Sequence, residues 1–313
     1  MTTPPEPPPR PQEQQLPGCV RHPDRPTGLR CVRCERPACP ECLREASVGY
    51  QCVDCVNEGA RTTRQPVTVA GAQAGQTARR LLVVPILIAL NVAVFAYTAY
   101  EAKDIAHNEA SELFRQWGLW PPITAYGEWW RLITSGFLHY GPIHLLMNML
   151  ALFVLGRDLE PVLGRVRFTA VYLVSLLGGG AAVFLFGARE AMVAGASGAV
   201  FGLMGALAVI VLRLKLNPSG AIGVIAINLF ISVTLPGISL LGHLGGLVVG
   251  GLTTMALVYA PMRSRNNWQA GAIVAVVVVL AGLILVRDAQ FGEVTRLGDI
   301  VCWFEPQPDC MRL

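Results

Sequence analysis

Four side chains stand out in an otherwise apolar part of this 313-residue chain: Ser197, His243, His144 and Asn148. A serine alone is a weak nucleophile. A histidine within hydrogen-bond reach can take its proton and later return it to a leaving group. Ser197 lies in GASGAVFG, where Phe201 and Gly205 continue its helical face. His243 lies in LGHLGGLVVGG, with Gly246 and Gly250 on its face. Such small-residue faces let two helices come very close. Neither segment holds an Asp or Glu, so the expected arrangement is a Ser–His dyad with the ring stacked on Phe201. His144 and Asn148 are four apart and share a face. Together with the Ser197 N–H they could donate to the oxyanion of a tetrahedral intermediate. Taken singly, each residue has a plainer reading as a packing serine or a helix-bridging Asn or His. All four fall at the outer ends of alternate apolar segments, and that conjunction favours chemistry.

A second set lies near the amino terminus. Cys19-x2-His22, Cys31-x2-Cys34, Cys39-x2-Cys42 and Cys52-x2-Cys55 form four ligand pairs. Eight such ligands suit two tetrahedral zinc ions, with two side chains of one tight turn converging on one metal. A module of this size is too small for a good apolar core, so bound metal would supply its folding free energy. These are structural ions, because no open coordination position is evident. The module resembles the B-box type of zinc finger. That resemblance implies cross-bracing, with the first and third pairs on one ion and the second and fourth on the other; sequential pairing is the alternative. A disulfide module is disfavoured, because seven cysteines is an odd number and the arm is expected in the cytoplasm.

The elements that must position these groups follow from composition. Hydrophobic residues make up 53% of the chain and charged residues 15%, against about a quarter charged in soluble domains. That excludes disorder of the whole chain and argues against an ordinary soluble enzyme. The formal charge of +4 suits membrane orientation rather than nucleic-acid binding. Residues 1–18 read as a disordered proline-rich arm, 19–58 as the metal module and 59–78 as a flexible linker. Seven apolar segments follow: 81–100, then about 143–156, 166–187, 193–212, 220–236, 239–260 and 269–286. Backbone in lipid must bond to itself, so all are expected to be helices. The second and fifth segments are short, and the fifth, flanked by glycine, reads as a lateral gate. With the amino terminus in the cytoplasm, the inner ends carry nine Lys and Arg against four outside before the tail. An odd number of helices then puts the tail, 288–313, outside. Trp117, Trp120, Trp129 and Trp130 read as interfacial anchors.

Residues 130–260 resemble the core of the rhomboid intramembrane serine proteases. Trp130–Arg131, HYGPIHLLMN at 139–148, GASG at 195–198 and HLGGLVVG at 243–250 occur in the family's order, and GRDLEPVLG at 156–164 resembles its turn after the second helix. The resemblance implies an all-α polytopic membrane protein, with a six-helix core over 79–262 and a seventh helix over 263–287. It implies Ser197 as nucleophile, His243 as base, and His144 and Asn148 at the oxyanion. It also implies peptide-bond hydrolysis in or beside the membrane helices of single-span substrates, without metal or nucleotide in catalysis. The metal module is an addition to that core and would dock a cytoplasmic partner. Position 201 is Phe where some relatives have Tyr, so stacking survives and a hydroxyl contact is lost. The competing expectation is a catalytically inactive rhomboid-like protein that binds clients in the bilayer of the plasma membrane. A transporter is disfavoured, because no internal repeat or pair of broken helices is apparent.

The tail raises one further expectation. Cys302 and Cys310 would lie in an oxidising compartment and pair, closing a short loop. The alternative is two unpaired thiols in a disordered end.

Overall fold

The computed structural model describes residues 15–62, 66–73, 81–189, 192–298, 300–303 and 309–312. Residues 1–14 of the proline-rich arm, 63–65 and 74–78 of the linker, and 79–80 at the start of the expected core lie outside the described residues. The chain divides into two units, residues 1–65 and 66–313.

In the first unit, the strands β1 (Leu43–Glu45) and β2 (Tyr50–Cys52) form an antiparallel ribbon that leads into α1 (Val53–Thr62). The interior is made of cysteine: Cys19, Cys31, Cys39, Cys42, Cys52 and Cys55 are all buried, and among the described residues the other buried apolar side chains are Ala38 and Leu43. So little apolar area cannot offset the conformational entropy of ordering the chain.

The second unit is a helical bundle. Its first helix is α2 (Val83–Ala102). Three short helices fill the following loop: α3 (Glu112–Trp117), α4 (Pro121–Ala125) and α5 (Arg131–Thr134). Then come α6 (Gly141–Leu163), α7 (Arg165–Phe186), α8 (Ser197–Arg213), α9 (Ser219–Thr234), α10 (Leu240–Val258) and α11 (Arg265–Ala289). Five of these are long and apolar enough to cross a bilayer; α8 and α9 are apolar and shorter. The chain is a multi-pass membrane protein.

At the centre is α8, buried continuously from Gly198 to Ala206. It packs on α10 through glycine. A Cβ on Gly246 would run into the Gly198 carbonyl, and one on Gly250 into the backbone of Gly202. A Cβ on Gly179 of α7 would sit 2.7 Å from the Gly242 carbonyl. Three helices therefore meet backbone to backbone, where lipid offers no hydrophobic gain and van der Waals contact must hold them. By contrast, α9 buries only Ala221 and Ser232, leaving Ile222, Ile227, Phe230 and Val233 exposed.

Several expected boundaries shift. The second apolar segment runs on through Arg157, Asp158, Glu160 and Pro161 to Leu163 as one helix. This stretch carries Glu160, whose buried carboxylate accepts from the backbone N–H groups of Leu82, Val83 and Val84 at 2.9, 3.1 and 3.0 Å. It caps α2 from the side, because the first N–H groups of a helix have no partner within it. The helix of the fourth segment begins at Ser197 rather than 193, because Gly195 adopts φ +133° and breaks the backbone there. The flexible-linker expectation fails for residues 66–73. Ala70 and Ala72 are buried, Thr68 Oγ1 donates to the Val162 carbonyl at 2.6 Å, and Gln269 Nε2 donates to the Ala70 carbonyl at 3.0 Å.

The tail is folded as well. The strands β3 (Val294–Leu297), β4 (Ile300–Trp303) and β5 (Asp309–Arg312) form an antiparallel sheet, with Cys302 and Cys310 disulfide-bonded across β4 and β5. Val301 packs with Trp120 and Ile123 of the loop between α2 and α6. Trp120 is thereby buried and donates from Nε1 to the Arg189 carbonyl at 2.6 Å, so it is a core residue of the loop rather than a free interfacial anchor. Arg131, also buried, pairs with Glu128 at 2.6 Å and donates to the carbonyls of Arg115 and Gly118.

Replacing Glu160 by alanine leaves three backbone donors without an acceptor. The expected cost is about 2–3 kcal/mol, read as a lowered midpoint in thermal unfolding of the detergent-solubilised protein. A midpoint equal to that of the wild type would show that the carboxylate does not hold α2.

Candidate active site and metal-ligand clusters

The glycine contact between α8 and α10 brings their first turns together. Ser197 Oγ and His243 Nε2 are 2.8 Å apart, a hydrogen bond between the hydroxyl and the imidazole. His243 is buried, and its ring stacks on Phe201 one turn along α8, with centroids 4.1 Å apart and planes 14° from parallel. The other ring nitrogen, Nδ1, lies 2.7 Å from Ser232 Oγ of α9. The start of α10 is held by Ser239, whose hydroxyl accepts from the Gly242 N–H at 3.2 Å.

His144 enters from α6. Its Nδ1 accepts from the Tyr140 backbone N–H at 3.3 Å. Neutral imidazole has one N–H, so this bond leaves the proton on Nε2. A methyl built on Gly195 would fall 2.8 Å from His144 Cε1, 3.0 Å from its Nε2 and 3.7 Å from Ser197 Oγ. His144 Nε2–H and Ser197 Oγ thus border one small space, and the absence of a side chain on Gly195 keeps it open. Asn148 sits one turn along α6 from His144 and donates to the His144 carbonyl at 3.0 Å. The structure brings Ser197, His243 and His144 together; it leaves the Asn148 amide engaged with its own helix. His139 packs edge-on against His144, with Nε2 3.5 Å from the Ala196 N–H.

The loop before α6 is locked by a residue that motif spacing does not reveal. Asn108 is buried; its amide donates to the His139 carbonyl and its oxygen accepts from the Gly141 N–H, both at 2.9 Å. It also donates to Thr98 Oγ1 of α2 at 2.9 Å. Asn108 therefore fixes the entry to α6, and with it His144.

The amino-terminal unit holds two ligand clusters. One gathers Cys19, His22, Cys39 and Cys42; the other gathers Cys31, Cys34, Cys52 and Cys55. Within each, the ligand atoms lie within 4.8 Å of one another. The first pair thus joins the third, and the second joins the fourth. His22 presents Nδ1, 3.5 Å from Cys39 Sγ and 3.3 Å from Cys42 Sγ. The clusters fit a cation. The Cys39 N–H, against burial and with those of Arg21 and His22, brings the Cys19 thiol down to about 6. Burial and the neighbouring sulfurs push Cys42 up to about 11. In the second cluster Arg36, with Nε 3.4 Å from Cys34 Sγ, lowers that thiol, while hydrogen bonding to Cys34 and burial push Cys55 up to about 12. Some sulfurs are favoured as thiolate and their neighbours held back by that charge. A divalent ion removes the conflict, since metal-bound thiols are deprotonated.

Residues 126–260, which contain Ser197, His243, His144 and Asn148, match the Rhomboid domain. RHOMBOID-like protein 5 of Arabidopsis thaliana is 30% identical over 216 residues, which are 59% of this chain and 70% of that protein. The chain belongs to the rhomboid family. RHOMBOID-like protein 6, mitochondrial, of the same plant is 35% identical over 203 residues, covering 56% of this chain and 66% of that one. Rhomboid protease GluP of Bacillus subtilis (strain 168) is 39% identical over 140 residues, 43% of this chain but only 27% of GluP. The metal-ligand unit lies outside the matched domain. Among the residues that position the site, motif spacing missed Ser232 and Asn108. A signal for Ser232 was present: Asn228 and Ser232 are four apart and form a polar patch on an otherwise apolar helix.

The two clusters predict two bound metal ions per purified full-length chain by elemental analysis, and one in Cys39→Ser. A wild-type chain that carries no metal after purification under reducing conditions would remove the cation reading.

Proposed function

We propose that this rhomboid is an intramembrane serine endopeptidase that cuts single-span membrane proteins in or beside their transmembrane helix. The observation that carries the reading is the 2.8 Å separation of Ser197 Oγ and His243 Nε2. His243 Nε2 takes the hydroxyl proton as Ser197 Oγ attacks the peptide carbonyl. The negative charge that develops on the carbonyl oxygen falls in the space that His144 Nε2–H borders beside Ser197 Oγ, and the Ser197 N–H and the Asn148 amide, once turned from its helix, would donate to it as further partners. His243 then gives its proton to the leaving amine. Water, activated by the same ring, releases the acyl-enzyme. A peptide in helical form hides its carbonyls in backbone hydrogen bonds, so substrates with small residues and an easily unwound helix are preferred.

In this reading the amino-terminal unit holds two structural zinc ions, resembles a B-box finger and docks a cytoplasmic partner. The sulfur-rich donor sets and their crossed grouping support it. The amino terminus is cytoplasmic, the membrane is the plasma membrane, and the disulfide-bonded tail sheet lies outside, in keeping with the charge bias at the helix ends and with an oxidising exterior.

The test is cleavage of a reporter single-span substrate in reconstituted vesicles. Ser197→Ala and His243→Ala are each expected to lower kcat by about 10³-fold or more. Equal cleavage by all three proteins, or none by the wild type, would return the chain to a client-binding, non-catalytic role.

A further inference from the structure

The donor count around His243 goes further than a two-residue site, although it rests on the proteolytic reading above. Ser232 Oγ has two close polar neighbours: His243 Nδ1 at 2.7 Å and the Asn228 backbone carbonyl, also at 2.7 Å. Both Ser232 and His243 are buried. A serine hydroxyl carries one proton, and a carbonyl can only accept. Two hydrogen bonds at that oxygen therefore need a second proton, and of these two neighbours the imidazole is the one that can supply it. The Ser232 O–H goes to Asn228, the back-bond to i−4 that serine commonly makes in a helix. The His243 Nδ1–H goes to Ser232. That leaves Nε2 with its lone pair toward the Ser197 hydroxyl, which is the tautomer a general base requires.

We infer that Ser232 is a positioning residue for the base: a hydroxyl, supplied by α9, that holds His243 in the Nδ1–H tautomer and fixes the ring against Phe201. The work falls to a neutral group, as the interior of a membrane protein favours, since a carboxylate there is expensive. When His243 accepts the Ser197 proton, the imidazolium still donates from Nδ1 to Ser232. Ser232 keeps its own proton throughout, and no charge moves beyond the ring. The device also ties competence of the base to the docking of α9. Ser232 is one of only two residues that this helix buries, and the chain turns within Leu235–Ser239 straight back into α10. When α9 moves away, His243 loses the group that selects its tautomer.

The experiment compares Ser232→Val with Ser232→Thr in the full chain, in reconstituted vesicles. The two side chains share a shape and differ in the hydroxyl. Ser232→Val is expected to lower kcat about fivefold to tenfold with KM unchanged, the effect of one lost hydrogen bond. It is expected to slow covalent labelling of Ser197 by a small fluorophosphonate by the same factor. That reagent reads the nucleophile and its base without a substrate helix. Ser232→Thr recovers both rates to within about threefold. The inference is overturned if Val and Thr behave alike, whether both match the wild type or both fall equally through packing; a thermal midpoint recorded for each separates loss of fold from loss of rate. Cleavage by Ser197→Ala equal to that of the wild type would remove the proteolytic reading, and this inference with it. A loss in Val alone, with Ser197→Ala inactive, sustains both.

Discussion

The backbone contact between α8 and α10 is the constraint on which the rest depends. Gly198 and Gly202 on one helix meet Gly246 and Gly250 on the other so closely that any Cβ at Gly246 or Gly250 would strike main chain. Backbone cannot give way as the end of a flexible side chain can. The crossing is therefore fixed to a fraction of an ångström, and Ser197 and His243 sit in the first turns just above it. A looser pair of helices held apart by leucines would set the hydroxyl and the imidazole beyond hydrogen-bond reach, since interaxial distance follows the side chains at the contact. Close approach here supplies the geometry of the site as well as the stability of the bundle, by van der Waals packing that needs no water to drive it.

Around that contact, ring orientation is set by neutral groups. Tyr140 offers a backbone N–H to His144, and Ser232 offers a hydroxyl oxygen to His243. The two histidines are turned in opposite senses. One is left with a donor facing the space beside Ser197, and the other with an acceptor facing Ser197 itself. Acid–base chemistry needs both kinds of group within one cavity, and here a single residue type supplies both because different partners select its tautomer. No ion pair has to be desolvated to achieve this, which matters where the penalty for a buried charge is high.

The parts of this arrangement legible from residue spacing are those in which one helix carries the whole signal. Ser197 with Phe201, His243 with Gly246 and Gly250, and His144 with Asn148 each lie on one face, so period and residue type announce them. The x2 cysteine pairs are legible for the same reason, since each pair is a single tight turn. Groups that act across elements leave a much weaker trace. Glu160 read as part of the turn after the second helix, yet its partners are N–H groups some 76–78 residues away at the start of α2. Asn108 and Ser232 are ordinary polar residues in composition, and only the fold shows what they face. The tail sheet was obscured for another reason: its strands have four residues each and pack on Trp120 and Ile123, a surface that composition reads as an interfacial belt.

The unequal anchoring of the site's surroundings bears on how a membrane helix could reach Ser197. The loop between α2 and α6 is tied down from several sides. Arg131 holds Glu128 and two carbonyls, Glu128 also meets Arg296 of the tail sheet at 3.2 Å, and Trp120 is pinned to the Arg189 carbonyl and packed under Val301. Lifting that loop would break a buried ion pair and several charge-assisted hydrogen bonds together, each costly to leave unmade. Displacing α9 exposes little that was buried, because its large apolar residues already face outward, and among its polar contacts it gives up the Ser232–His243 bond. On the proteolytic reading proposed above, the side of the bundle is therefore the cheaper door. On that reading the group lost when α9 moves is the one proposed to orient the base, so a substrate entering there would have to let α9 settle back, or satisfy Nδ1 itself, before Ser197 is activated.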